Sequence, residues 1–346
     1  MAEREEGGVA TLRDVAREAG VSLATADRVV NRRPGVRAAT IARVEAAVES
    51  LRFERHPGAA ELARRVRFKV SAVLPRGTNP FMARLAEELR QAARTLGARR
   101  IDLALIEADG FRPDRLAAAI ARAAAAGDAV IAVGLDDPGV LAAIDAAQAC
   151  GVPVVTLVSD VPGSARHRYV GIDNRAAGRV AGALAGRFLG AAPRSVAVLL
   201  GARALRDHRD RLDGFAEALT ERFPHLAISG IVEGQDDADA AHAAISALFA
   251  SGAAPAAVYS AGAGNAGLVQ ALRDAGSTAL VIAHELTAET RPLLEDGALD
   301  ALIVQDPGHE ARSAVRVVLA ALNGTGVDED QERIRIEILL KDNLPF

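Results

Sequence analysis

From Lys69 onward, short apolar runs alternate with alanine-rich stretches of helical period, and this alternation restricts the fold more than any other feature of the chain. Nine runs read as strands: Val70–Leu74, Ile101–Ile106, Ala129–Val133, Val154–Val158, Val196–Leu200, Ala227–Val232, Ala256–Ser260, Ala279–Ala283 and Ala301–Val304. Strands that are apolar on both faces must be covered on both, so helices between them imply parallel sheets sandwiched by helices. Nine strands exceed a typical sheet of about five or six. They fall into two groups of similar plan, roughly 70–172 and 174–304, which predicts two Rossmann-like lobes with a cleft between them. Aromatic residues make up only 3% of the chain and Trp is absent, so Ala, Val, Leu and Gly must do the packing.

Ahead of the lobes the pattern is different. Residues 11–31 read TLRDVAREAGVSLATADRVVN. Leu12, Val15 and Ala16 give the first segment one apolar helical face, and Gly20 follows where a left-handed cap ends a helix. Ser22 stands where its hydroxyl accepts an orphan amide of a second helix. Ala26, Val29 and Val30 form that helix's buried face, and Leu23, Ala24, Thr25 and Arg28 point the other way. This is the layout of a helix-turn-helix, whose second helix enters the DNA major groove by its N-terminus. A third helix is expected over Ala38–Leu51. Residues 9–68 hold 12 Arg and Lys against 7 Asp and Glu, whereas residues 69–346 hold 28 against 35. A basic head on an acidic body suits a protein in which only the head meets phosphate.

Several classes have little support. One cysteine, Cys150, permits no internal disulfide, and the acidic start MAEREEGGVA has no apolar leader, so a cytoplasmic chain is expected. No run approaches the ~18 apolar residues of a spanning helix. There is no CxxC, HExxH, GxSxG or P-loop, so no catalytic residue, metal or cofactor is assigned. Gly262-Ala-Gly264-Asn-Ala-Gly267 is a literal GxGxxG between a strand and a helix, with Glu285 after the next strand. That is the dinucleotide fingerprint, but it lies deep in the second lobe, and the glycines are better explained by close approach of the backbone to a small ligand.

In doubly wound sheets, ligands sit at the carboxyl ends of the strands. The loops there hold Asn79 and Phe81, Asp173 and Asn174, Arg209, Asn265, His284 and Glu285, and Gln305. Phe81 offers a flat face to C–H groups, and the others offer donors and acceptors to hydroxyls. Asp173 can alternatively cap the helix that follows it, and Arg209 can belong to a solvated charged face.

These residues resemble the LacI/GalR family of bacterial transcription regulators over essentially the whole chain. The resemblance is carried by TLRDVAREAGVSLATADRVVN and VRAATIARVEAAVESLRF, and in the body by NPFMARLAEELRQAARTLG, YVGIDNRAAGRVAG and RDRLDGFAEAL, which are similar to ribose-type periplasmic binding proteins. It implies an all-α helix-turn-helix head plus α/β lobes of type I periplasmic-binding-protein form. The implied division is a disordered tail 1–8, a head 9–56, a hinge 57–68 and an effector-binding and dimerisation domain 69–346. Lobe 1 then covers about 69–173 and 306–328, and lobe 2 about 174–305 and 329–346. It also implies that Leu23, Ala24 and Arg28 read bases, that Thr11, Ser22, Thr25 and Asn31 hold phosphates, and that Leu62 wedges into the minor groove. On the same grounds Asn79, Phe81, Arg209, Glu285 and Gln305 fall on ligand positions, and His284 stands where an aromatic residue is frequent. The expected function is a homodimeric repressor whose grip on operator DNA is set by a sugar, polyol or sugar acid. A transport solute-binding protein and a nucleotide-dependent enzyme are the alternatives.

Overall fold

The computed structural model describes residues 10–30, 34–51, 53, 67–77, 79–97, 100–109 and 112–345. Asn31, Leu62, the tail 1–8 and the Pro57-Gly58 hinge lie outside the described residues. The chain divides into two compact units, residues 1–66 and 67–346.

The first unit contains α1 (Leu12–Glu18), α2 (Leu23–Val30) and α3 (Ala38–Ser50). Thr11 and Asp14 cap α1 reciprocally: the Asp14 amide donates to Thr11 Oγ1 (3.4 Å) and the Thr11 amide to Asp14 Oδ2 (3.0 Å). Gly20 takes φ +61° after α1, where a side chain would be strained. Ser22 Oγ accepts the Thr25 amide at 3.2 Å and so starts α2. Val15, Ala19, Val29, Val44 and Ala47 form the core that fixes the three helices.

The second unit holds two sheets. The first comprises β1 (Phe68–Arg76), β2 (Ile101–Asp109), β3 (Ala129–Ala132), β4 (Val154–Leu157) and β5 (Arg168–Val170), all parallel, in the order β2-β1-β3-β4-β5. Its helices are α4 (Pro80–Thr95), α5 (Pro113–Ala126) and α6 (Pro138–Ala149). The second comprises β6 (Arg194–Leu200), β7 (Leu226–Glu233), β8 (Ala257–Ser260), β9 (Leu280–His284), β10 (Ala301–Val304) and β11 (Glu337–Leu339), in the order β11-β10-β9-β8-β6-β7. Only β11 runs antiparallel to its neighbour. Its helices are α7 (Asn174–Leu189), α8 (Arg206–Arg222), α9 (Ala238–Ala250), α10 (Asn265–Asp274) and α11 (Thr290–Glu295). A last helix, α12 (Pro307–Asn323), returns to pack on α4 and the first sheet.

Each of the nine expected strands is present. β5 and β11 were not anticipated; each is three residues long and partly exposed, so neither leaves an apolar run in the sequence. The chain passes between the sheets after β5, after β10 and after α12. Both strand orders reverse direction, at β1/β3 and at β6/β8, and the crevice of a doubly wound sheet opens at such points.

Candidate functional site

The exposed side of α2 carries the residues expected to meet DNA. Leu23 is 44% exposed, a cost that a head buried in its own core would not carry. Ala24 and Arg28 are exposed and Thr25 half-buried, while Ala26 and Val29 turn inward. Ser22 and Thr25 join hydroxyls at 2.8 Å, and Thr11 Oγ1 donates to Asp14 Oδ2 at 2.6 Å. Thr11 and Ser22 thus hold helix starts as well as facing solvent.

A cavity of about 790 Å³ lies at the carboxyl ends of the two sheets. Asn79, Phe81 and Ser159 line it from the first lobe; Asn265, His284, Glu285 and Gln305 line it from the second. Strand ends place these residues, which is why six of the eight expected ligand positions come together. Asn79 caps α4 by accepting the Phe81 amide (3.0 Å), and its Nδ2 reaches Asp236 of the other lobe at 3.3 Å. Phe81, 5% exposed, sits where Pro80 and the cap turn α4 inward.

Two expected positions differ. Arg209 does not line the cavity; its guanidinium is paired with Asp136 of the first lobe at 2.6 Å. Asp173 caps α7, accepting the Ala176 amide at 2.9 Å, and is likewise not a lining residue. The buried guanidinium lining the cavity belongs to Arg211, 3% exposed. Sequence inspection missed it because HRDR offers two arginines on different faces. The signal was present: Arg211, Phe215 and Ala218 recur at helical spacing, so Arg211 shares the apolar face of α8. Asp207 and His208 enter from the same helix, and Asp236 comes from the β7–α9 loop, where no periodicity marks it.

The buried polar groups form one electrostatic system. Arg211 Nε donates to Asn174 Oδ1 (2.8 Å) and Nη1 to the Ala261 carbonyl (2.9 Å), while Nη2 lies 3.9 Å from Glu285 Oε1. Glu285 accepts Gln305 Nε2 at 2.8 Å and the Gln305 amide at 3.4 Å. Burial raises the Glu285 carboxyl to about 7 against the pull of Arg211 and Gln305. Its backbone has φ +66°, a strained conformation for a glutamate, and such strain concentrates at functional sites. His284 Nε2 pairs with the Tyr259 hydroxyl at 2.8 Å. Burial holds this imidazole well below its ordinary range, and Arg211 and His208 push the same way. Glu310 on α12 is fully buried with both oxygens unpartnered, and burial followed by the charge of Glu285 pushes it well up.

The GxGxxG glycines serve packing. A Cβ on Gly267 would overlap the Ala238 carbonyl, so this glycine lets α10 lie against α9. A Cβ on Gly262 would overlap Asp236. The Ala266 amide in the first turn of α10, where a pyrophosphate would dock, donates to Glu289 Oε1 at 2.9 Å. Among the described residues no group of acids, histidines or cysteines has the arrangement of a metal site, and no helix is long and apolar enough to cross a membrane.

A three-helix head with a helix-turn-helix, followed by two doubly wound lobes around a polar cavity, defines a class that joins a DNA-reading module to a type I periplasmic-binding-protein body. Residues 70–326 match the periplasmic binding protein domain, and the chain belongs to that family; residues 11–56 match the lacI family of bacterial regulatory proteins. It is 36% identical over 85 residues to the transcriptional regulator GalR of Escherichia coli, a match spanning 25% of each chain. It is 32% identical over 167 residues to the regulator MalR of Streptomyces coelicolor, 48% of this chain and 47% of MalR. The matched stretches thus span between a quarter and a half of these curated relatives. Among solved structures, GanP, a glucose-galactose binding protein from Geobacillus stearothermophilus, superposes with a TM-score of 0.74 at 23% identity, covering 81% of this chain and 99% of GanP. A putative LacI transcriptional regulator from Bacteroides fragilis superposes at 0.71 and 16% identity, over 80% and 98%.

Proposed function

We propose that the protein is a cytoplasmic, homodimeric transcription repressor whose affinity for operator DNA is set by a small polyhydroxylated ligand in the interlobe cavity. The observation that carries this is the outward face of α2, with Leu23, Ala24 and Arg28 exposed beside a capped N-terminus, on a chain whose other unit encloses a polar cavity. In this reading Arg28 bonds guanine O6 and N7, and Leu23 touches a thymine methyl. Thr11, Ser22 and Thr25 set register on phosphates, and Asn31 and Leu62 complete the contact set by resemblance. Asn79, Phe81, Asn265, His284, Glu285 and Gln305 hold the ligand, joined by Arg211 and Asp207. The sequence division into head 9–56, hinge 57–68 and body 69–346 is retained as part of this proposal.

A transport role uses the lobes but gives no task to the exposed side of α2. Ligand and operator are coupled typically by 1–3 kcal/mol, and reciprocally, so each changes the affinity of the other by the same factor. The test is selection of duplexes from random DNA by the full chain, followed by titration of the selected site at rising salt. A pseudo-palindromic site is expected, with binding that weakens steeply as salt rises. Arg28→Ala should cost about 1–3 kcal/mol and relax one base preference. Failure to select any sequence, or a flat salt curve, rejects the proposal.

A further inference from the structure

The inner wall of the cavity carries more acid than base. Asp207, Asp236 and Glu285 reach it from α8, the β7–α9 loop and the end of β9. Among the described residues Arg211 is the one arginine or lysine that is buried, and its donors are already directed at Asn174, Ala261 and, more distantly, Glu285. Arg76 and Arg90 stand at the exposed margin, within salt-bridge distance of Glu107 and Glu87. His208 Nδ1 accepts the Gly201 amide at 3.1 Å, and its Nε2 lies 3.8 Å from Asp207 Oδ2.

Several helix starts near the cavity are already occupied: Asn79 takes one early amide of α4, Asp237 two of α9, Glu289 one of α10 and Asp306 one of α12. The start of α8 has no side-chain cap, but its first turn carries the acid Asp207, which opposes an anion there.

The unpartnered atoms point the same way. Asp207 Oδ1, Asn265 Oδ1, Gln305 Oε1, Ser159 Oγ and His284 Nδ1 are buried atoms of lining residues without a hydrogen-bond partner, on residues 6%, 2%, 3%, 1% and 2% exposed. Three of the five only accept. Gln305 Nε2 donates to Glu285 Oε1, which leaves Gln305 Oε1 without a partner. A hydroxyl brings one donor and two acceptor sites, a carboxylate only acceptors, and an ammonium three donors and no acceptor.

We propose that the ligand is a polyhydroxylated amine, an amino sugar or aminopolyol, whose ammonium donates to Asp207 Oδ1 on the Glu285 side of the cavity; this rests on the ligand-controlled function proposed above. The ammonium supplies a positive partner to the Asp207–Glu285 pair in addition to Arg211. The elevated carboxyl of Glu285, raised by burial and by Asp207, reflects the same shortage of positive charge. Phe81 meets the C–H face of the carbon skeleton.

The test is calorimetry on the full chain with matched sets built on glucose, galactose and mannose: the parent sugar, its 2-amino derivative, the N-acetylated amine and the uronic acid. In the set that fits, the amine should bind about tenfold more tightly than its parent, as expected for a charge-assisted bond to a carboxylate. Acetylation should remove that advantage, and the uronic acid should bind more weakly than the parent. Asp207→Asn and Glu285→Gln should each bring the amine-to-parent ratio toward one; two variants guard against a folding defect in either. A parent or uronic acid that binds as tightly as the amine overturns the proposal, as does an unchanged ratio in both folded variants. Absence of binding by every sugar, with sequence-selective DNA binding retained, overturns the polyhydroxylated-ligand reading itself and the amine with it.

Discussion

At Glu285 the cavity stores a proton that the unfolded chain releases. The carboxyl titrates near 7 in the folded protein because burial disfavours its charge, against an ordinary value of 4.5. Below 4.5 both states hold the proton. Between the two values only the folded state does, so stability falls as pH rises through this window, and above 7 the whole penalty is present. The difference corresponds to about 3 kcal/mol. Glu285→Gln keeps the acceptor for Gln305 without the charge. Thermal melts of the two proteins should converge toward pH 5 and separate toward pH 8, the glutamine variant melting higher. A constant gap across the range would show that Glu285 is not the titrating group.

At the scale of elements, the close crossing of α7 and α8 is what brings Arg211 into the cavity. Gly178, Gly182 and Gly186 recur every fourth residue along α7. A Cβ at Gly178 would overlap the Arg211 carbonyl, and one at Gly214 of α8 would overlap the Arg175 carbonyl. Each helix thus presses its backbone where the other has no side chain. Gly178→Ala must push α8 outward, at a cost of about 1–3 kcal/mol for overpacking, and should move Arg211 and Asp207 off the cavity wall. The expected result is a lower denaturation midpoint together with weaker ligand binding. Gly190→Ala is the control: its left-handed φ of +71° also costs stability, but a Cβ there meets nothing, so ligand affinity should be preserved. Equal losses of affinity in the two variants would reject the positioning role. The same elements show what the sequence disclosed. Buried parallel strands such as Ala129–Ala132 and Ala301–Val304 are apolar on both faces and leave an uninterrupted run. Asn79, Phe81, Asn265, His284, Glu285 and Gln305 were legible because strand ends and helix starts aim them. Arg211 was harder, because helical phase within a charged run depends on which face packs, and that was decided by glycines on another helix. β5 and β11 were illegible because a three-residue strand at a sheet edge needs no apolar pattern.

Across the two lobes the chain crosses three times, and the only covalent restraint on their angle lies in those crossings. Side-chain contacts between the lobes add non-covalent restraints. Asp136, between β3 and α6, accepts Arg209 at 2.6 Å and Arg206 at 3.4 Å from α8 of the other lobe, and Asn79 reaches Asp236. These charged groups are 29–41% exposed, so water screens them and each pair contributes about 0.2–1 kcal/mol. That is small against the fold but large enough to bias an angle between two rigid bodies. Arg206 also holds Asp210 at 2.9 Å, so removing Asp136 releases Arg209 more than Arg206. Asp136→Ala should therefore favour the open arrangement: the radius of gyration of the ligand-free protein in solution scattering rises, and ligand affinity falls about two- to fivefold. Arg209→Ala should act in the same direction, and the double variant should show no loss beyond that of Asp136→Ala, because the Asp136–Arg209 contact is common to both. The consequence differs from that of a cavity residue. Replacing Arg209, which sequence inspection placed on the ligand, should weaken the response without abolishing it, since closure is tuned by the pair while the proposed ligand grip lies at Asp207 and Glu285. Complete loss of ligand binding in Arg209→Ala, with the scattering profile unchanged, would put the guanidinium back on the ligand and remove the interlobe pair as a determinant of closure.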